Sequence, residues 1–149
     1  MAIRDYHPED RAACLAVFRS NTPDYFTDDE VAEFETFLDT MTDPYFVLEL
    51  EGQIMACGGV FVRRDGQTAG LAWGMVHRAQ HRQGYGRALL DRRLTWLGVH
   101  APHVTAVTIE TSQHSAPFFA RLGFNTTRIQ PEGFALGLDQ HDMRLSLSS

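Results

Sequence analysis

The run QHRQGYGRALL, residues 80–90, sets two glycines, Gly84 and Gly86, where a strand pattern gives way to a helix pattern. Upstream, TAGLAWGMV at 68–76 is apolar and strand-like. Downstream, Leu90, Leu94 and Leu97 recur at spacings of four and three, which is one face of a helix. A helix that starts at such a turn aims unpaired backbone N–H groups, and the positive end of its dipole, at whatever occupies the turn. Glycine removes the Cβ that would keep a bulky anion away from those groups. Arg82 and Arg87 flank the turn and add charge-assisted donors. The chemistry favoured by this spacing is phosphate binding by backbone. Its competitor is a plain strand-to-helix turn, for which glycine is equally suited. Other nucleotide loops fit poorly, since no Lys-Ser/Thr follows Gly86 and no third glycine completes a dinucleotide fingerprint.

A second block lies about 40 residues downstream, measured between Gly84 and Gly123. TAVTIET at 105–111 reads as a strand, and FFARLGF at 118–124 as the end of a helix closed by a glycine C-cap. His81-Arg82-Gln83-Gly84-Tyr85-Gly86 resembles motif A of the GNAT superfamily of acyl-CoA N-acyltransferases, Arg/Gln-x-x-Gly-x-Gly/Ala after a strand, with His81 at the first position. The second block resembles that family's motif B, a strand and then a helix ending in Tyr-x-x-Leu-Gly-Phe, and Leu122-Gly123-Phe124 is its best-matching part.

The resemblance implies an α/β (α+β) GNAT-like fold, a mixed central sheet of six to seven strands with about four helices. It also implies acetyl-CoA as cosubstrate, held by Met75, Val76, His81, Arg82, Gln83, Gly84, Tyr85, Gly86, Arg87, Ala88 and Phe119. The pyrophosphate would lie on the amides of residues 84–88, and the pantetheine arm along the strand ending at Met75-Val76. The activity implied is acetyl transfer to a primary amine of a small molecule or peptide, by direct attack in a ternary complex. A backbone N–H within Gly74–Val76 would polarise the thioester carbonyl, and donors aimed at a developing oxyanion are a large catalytic term. The family's motif B tyrosine, a proton donor, corresponds here to Phe119, and its asparagine to Ser112. Ser112 or Ser115 would then orient a water as the acid, with His77, Glu110 or His114 as base. For each of these an ordinary solvated or hydrogen-bonded role competes. Family analogy allows a homodimer, while the sequence itself does not fix the oligomeric state. Two other readings stay open: a non-catalytic acyl-CoA-binding regulatory module, motivated by Phe119, and a phosphate-ligand protein unrelated to CoA.

Bulk properties agree with a small enzyme. The 149 residues suit one domain spanning 1–149, and 44% apolar content is ordinary for a globular chain. The net charge of −6 argues against a nucleic-acid partner. The N-terminal MAIRDYHPED has no apolar targeting segment and no run reaches the length of a membrane span, so a cytoplasmic location with no membrane partner is expected. Cys14 and Cys57 stand far apart in unrelated elements, read as buried free thiols, and no metal site is indicated.

The elements that must position these residues emerge from pattern. The expected order is β-α-α-β-β-β-α-β-α-β-β. Residues 2–6 form a first strand, and 9–19 a helix with Ala13, Ala16 and Val17 as its apolar stripe. Thr27 caps a second helix that carries Val31, Phe34, Phe37, Leu38 and Met41. Strands 45–51 and 53–63 join at Gly52, and Arg64-Asp65-Gly66 turns into the strand that precedes the glycines. After Phe124 a loop containing Pro131 and Gly133 leads to a last strand at 143–147. The acids Asp24, Asp28, Asp29, Glu30, Glu33 and Glu35 read as a solvated face, or an attractive rim for a cationic acceptor. Tyr25, Phe26, Phe34 and Phe37 read as a wall of the acceptor pocket. His7, His100, His103 and His141 read as loop or surface residues.

Overall fold

Seven strands and four helices form in the computed structural model, which describes residues 1–147. The strands are β1 (Ala2–Asp5), β2 (Tyr45–Leu50), β3 (Gln53–Val62), β4 (Thr68–Val76), β5 (Ala106–Ser112), β6 (Asn125–Ala135) and β7 (Leu138–Ser146). The helices are α1 (Arg11–Ser20), α2 (Val31–Thr40), α3 (Tyr85–His100) and α4 (Ala116–Arg121). The hydrogen-bonded order is β1-β2-β3-β4-β5-β7-β6, a mixed sheet of the expected kind. The chain divides into two compact units, Met1–Phe61 with Ala72–Pro102, and Val62–Leu71 with the residues from His103 onward.

In the first unit, β1, β2 and β3 are antiparallel neighbours, with Tyr45 opposite Gly59 and Phe46 opposite Gly58. Successive side chains point to opposite faces of a strand, and two glycines show what lies on each. A Cβ on Gly58 would sit 3.0 Å from Leu89 and 3.2 Å from Arg93, both on α3, whereas one on Gly59 would strike the Tyr45 ring at 2.7 Å. So α3 covers one face, and Tyr45 lies on the other with α1 and α2. There Cys14, Leu15, Val17, Phe18, Phe34, Leu38, Val47, Cys57 and Met75 form the core. Phe18 and Phe34 are fully buried, each worth about 2–3 kcal/mol relative to exposure. The stripe of α1 is therefore Cys14, Leu15, Val17 and Phe18, whereas the expected Ala13 is half-buried and Ala16 exposed. The larger side chains take the core face, and the alanines are left at its margin.

Cys14 and Cys57 are free and buried, as expected, but they are not remote from each other. Packing of α1 on β3 brings them into hydrogen bond, which together with burial pushes the Cys14 thiol pKa far up. Both behave as small core residues.

In the second unit, β4 begins parallel to β5, pairing Thr68–Gly70 with Ala106–Thr108. β5 then runs antiparallel to β7, from Ala106 opposite Ser146 to Ser112 opposite Gln140. The expected loop around Pro131 and Gly133 is instead strand β6, which pairs with β7 as a hairpin. Its register shifts between Gln130 and Ala135, and a Cβ on Gly133 would meet Gln140 at 2.7 Å. A bulge in an edge strand accommodates both breaker residues. His141 consequently lies within β7, not on a loop, and its Nδ1 is buried without a partner among the described residues.

The start of α1 is tied down by charge. Asp10 is 7% exposed and takes a bidentate bond from Arg4 at 2.8 and 2.9 Å, plus the His7 backbone N–H at 2.8 Å. The Arg4 guanidinium holds the Asp10 carboxyl below its ordinary pKa; burial opposes this and the His7 amide reinforces it. A depressed folded-state pKa gives stability that is present above the unfolded value, about 3.9, and lost as pH falls through the folded value. Melting temperature should therefore fall below about pH 4. Asp10→Asn should melt a few degrees lower at neutral pH and show a shallower acid limb. Thermal melts from pH 7 to pH 2.5 check this; parallel acid limbs in the two proteins would contradict it.

Candidate functional site

Three helical segments of the first unit begin differently. The 3-10 turn leading into α1 carries Glu9 and Asp10, and the turn leading into α2 carries Asp28, Asp29 and Glu30 with a Thr27–Glu30 capping box. Acids there complement the helix dipole. α3 has no acid in its first turn and no side-chain cap; its N-cap is Gly84 in the left-handed region at φ 85°. Its backbone ladder starts with the Ala88 N–H donating to the Gly84 carbonyl at 3.1 Å, so the N–H groups of Tyr85, Gly86 and Arg87 have no acceptor within the helix. Arg82 and Arg87 are exposed beside them and join no ion pair among the described residues. A turn of amides, a dipole end and two arginines presents donors and positive charge of the kind that can receive an anion.

Backbone strain marks the same region. Arg82 sits at φ 66° and Trp73, inside β4, at φ 47°. A bulky L-residue held there costs about 1–2 kcal/mol and persists only when its surroundings impose it. At Trp73 the imposing groups are visible. Tyr45 donates its hydroxyl to the Trp73 carbonyl at 2.8 Å, and its phenol pKa is raised well above the ordinary value by burial. The Trp73 ring packs among Phe18, Phe26, Phe34 and Phe37, with centroids 5.1 to 6.4 Å away. Tyr25, Phe26 and Phe37 are half-buried and Phe34 is fully buried, so the expected aromatic wall is partly core. Gly74, the next residue, is exposed.

The loop after α1 is clasped to the end of β4. Asn21 donates from Nδ2 to the carbonyls of Val17 (3.0 Å) and Val76 (2.9 Å), which leaves its buried Oδ1 without a partner among the described residues. Ser20 Oγ accepts the Arg78 N–H at 3.0 Å. Arg78 also pairs with Asp24 at 2.9 Å and lies 5.1 Å over the Tyr25 ring, which meets His81 edge-on. The acids expected as one solvated face thus divide: Asp28, Asp29 and Glu33 are exposed, whereas Glu35 binds Arg11 and Glu30 caps.

The two histidines here differ in tautomer. Nδ1 of His77 accepts the Ala79 N–H at 3.1 Å, so its neutral ring carries the proton on Nε2. His81 contacts the Val76 carbonyl through Nε2 at 2.8 Å; a carbonyl only accepts, so its lone pair stays on Nδ1. His77 can act as a base only by giving up its cap.

Of the other expected site residues, Met75 is buried in the core and Val76 is half-buried. Gln83 is exposed, while Tyr85, Gly86 and Ala88 are half-buried along the first turn of α3. The remaining candidates belong to the second unit. Glu110 is exposed on β5. Ser112 is buried, and its Oγ accepts the N–H of His114, itself an exposed residue, at 3.2 Å. Ser115 is the N-cap of α4, half-buried, with no cap bond from its hydroxyl. Phe119 is buried between Phe118 and Phe124, with centroids at 5.0 and 5.3 Å.

Pattern reading missed Arg93. The buried stripe of α3 is Leu89, Leu90, Arg93 and Leu97, with the expected Leu94 only half-buried. The signal was present, because Arg93 stands four residues from both Leu89 and Leu97, and Gly58 and Gly74 make room for it.

A family profile described as Acetyltransferase (GNAT) family matches residues 13–124. Solved structures resemble the chain over nearly all its length. The ribosomal-protein-S18-alanine N-acetyltransferase from Escherichia coli is 23% identical with a TM-score of 0.79, covering 99% of this chain and 94% of that one. An aminoglycoside 6'-N-acetyltransferase complexed with coenzyme A is 12% identical, TM-score 0.78, covering 100% and 98%. A Salmonella typhimurium protein solved with its cofactor acetyl-CoA is 24% identical, TM-score 0.71, covering 100% and 95%. At these identities the likeness concerns fold.

The two glycines of the turn should respond oppositely to substitution. Gly84→Val puts a branched residue at φ 85°, where a Cβ meets open space, so the cost is backbone strain of about 1–2 kcal/mol. Gly86 has no positive φ and lies inside the helix, so Gly86→Ala should leave stability unchanged or raise it by up to about 1 kcal/mol. Denaturant melts of the unliganded proteins check both; a destabilised Gly86→Ala would mean that its backbone is strained too.

Proposed function

This chain belongs to the acetyltransferase (GNAT) family, and from that premise we propose that it transfers an acetyl group from acetyl-CoA to a primary amine of a small molecule or peptide. The observation that carries the proposal is the start of α3, where the acids that open the turns into α1 and α2 are replaced by Gly84, free amides and two arginines. The amides of Tyr85, Gly86 and Arg87, with the side chains of Arg82 and Arg87, would hold the pyrophosphate. Gly74–Val76 would hold the acyl arm, with His81, Gln83, Ala88 and Phe119 completing the cofactor set. Neighbours in fold have coenzyme A or acetyl-CoA bound, which supports the same cosubstrate here.

In this reading a neutral amine attacks the thioester carbonyl directly. The new N–C bond forms as the C–S bond breaks, a base takes the ammonium proton, and the thiolate receives one. Glu110 and His114 are the base candidates whose exposure leaves them open to solvent, and His77 is disfavoured because its lone pair caps the turn at Ala79. Ser112 and Ser115 are the hydroxyls left to orient a water as acid, since Phe119 has no proton to give. Loss of a tyrosine acid slows such a step by on the order of a hundredfold without abolishing it. The exposed Asp28 and Asp29 and the half-buried rings of Phe26 and Phe37 favour a cationic acceptor with an apolar body. Among the described residues no helix is long and apolar enough to cross a membrane; a cytoplasmic location is part of the proposal.

A second reading, a non-catalytic acyl-CoA-binding module, is favoured by the burial of Phe119 between two other phenylalanines. Free-thiol release from acetyl-CoA across an amine panel separates the two. Amine-dependent release supports transfer, whereas tight binding with none supports the module. Calorimetry on folded protein should detect coenzyme A binding, and Gly84→Val, whose branched side chain would occupy phosphate space, should weaken it by at least about tenfold in protein that still folds. Undiminished affinity in that variant would move the phosphate away from α3.

A further inference from the structure

Arg93 is a buried charge in the first unit to which neither the sheet nor the glycine turn gives a task. It is 3% exposed, and no carboxylate pairs with it among the described residues. Its hydrogen bonds are long ones to main chain, from Nε to the Leu89 carbonyl at 3.3 Å and from Nη1 to the Gly59 carbonyl at 3.4 Å. Burial depresses its pKa to about 10, with Tyr45 and Cys57 opposing, so the group still carries its charge at neutral pH. A buried, unpaired cation is worth less to folding than an apolar side chain of the same size, so stability does not explain it.

Its position does. A Cβ on Gly74 would sit 3.0 Å from Nη1 and 3.3 Å from Nη2, so the end of the guanidinium fills the space beside β4 that a side chain at that residue would take. Gly58 on β3 forms the other wall of the slot, where a Cβ would come within 3.2 Å of Cζ. Gly74 follows the strained Trp73 directly, and Tyr45 holds the Trp73 carbonyl from the opposite face. The break in β4 is thus gripped on one face by a hydroxyl and backed on the other by a fixed charge in a water-poor setting.

We propose that Arg93 is a positioning residue for acyl transfer: its guanidinium, packed behind Trp73 and Gly74, sets the break in β4 and places a fixed positive charge behind the thioester carbonyl held along that strand. A charge in low-dielectric surroundings acts over several ångströms, and as an oxyanion develops it stabilises the transition state more than the ground state. The inference rests on the reading of Gly74–Val76 as the acyl-arm strand.

The test uses acetyl-CoA labelled with carbon-13 at the carbonyl, its stretching band recorded bound and free by isotope-edited infrared spectroscopy. With wild-type protein the bound band should lie at lower wavenumber than the free one. Arg93→Met, an apolar replacement of similar length, should fold and bind coenzyme A within about threefold of wild type, yet lose most of the band shift. Arg93→Lys gives the control should the Met variant fail to fold. A buried ammonium has a lowered pKa, so its band shift should be present near pH 6 and fade by about pH 8.5, where the wild-type guanidinium is still charged and its shift persists. The titratable neighbours are Tyr45 and Cys57, both present in each protein. A full shift in folded Arg93→Met, or a pH-independent shift in Arg93→Lys, overturns the role of Arg93 alone. Failure of wild-type protein to bind acetyl-CoA overturns the proposed acetyl transfer and this inference with it.

Discussion

A tryptophan in the left-handed region in the middle of a strand is the constraint on which the first unit turns. Trp73 has φ 47°, and β4 cannot keep that conformation by its own hydrogen bonding. It is held by the Tyr45 hydroxyl, by four phenylalanine rings around the indole, and by the guanidinium behind Gly74. Each contact needs another element in place: β2 for Tyr45, α1 and α2 for most of the rings, α3 for Arg93. The strain at one residue therefore ties most of the unit's elements to a single geometry of β4.

The segment between β4 and α3 depends on that geometry. The Val76 carbonyl receives donors from Asn21 and His81, and the next residues are anchored through Ser20, Asp24 and Tyr25. The turn that opens α3 is thus held by side chains from the end of α1 and the loop beyond it, and needs no cap of its own. Its amides stay available because Gly84 supplies none. The charges are arranged to match, with acids at the starts of the other two helical segments and arginines at this one.

The glycine turn, the start of α3 and the Leu122-Gly123-Phe124 helix end were legible in the chain because each is local chemistry. A positive φ calls for glycine, a dipole end calls for unpaired amides, and a C-cap follows the last helical turn. The first strands were legible for the same reason: Glu51 and Gly52 at φ 51° and 79°, and Gly66 at φ 70°, make the tight turns their sequence suggests. Strand β6 was not legible, because Pro131 and Gly133 are breakers by local rules and are tolerated only where β7 absorbs a bulge. Arg93 was hidden because a charged residue on a helix is ordinarily solvated, and only the glycines of β3 and β4 reveal where its side chain goes.

By itself the amino-acid sequence determined the order of elements, the family and the glycine turn that opens α3, since all three depend on residues near one another along the chain. Tertiary structure alone decided that Cys14 lies against Cys57, and that Asn21 under Val76, Nδ1 of His141 within β7 and Arg93 behind Gly74 are buried. Burial is set by what packs on top, and those partners come from segments tens of residues away. The cost of an unpaired polar group, and hence its power to polarise a neighbour, exists only once water has been excluded by that packing.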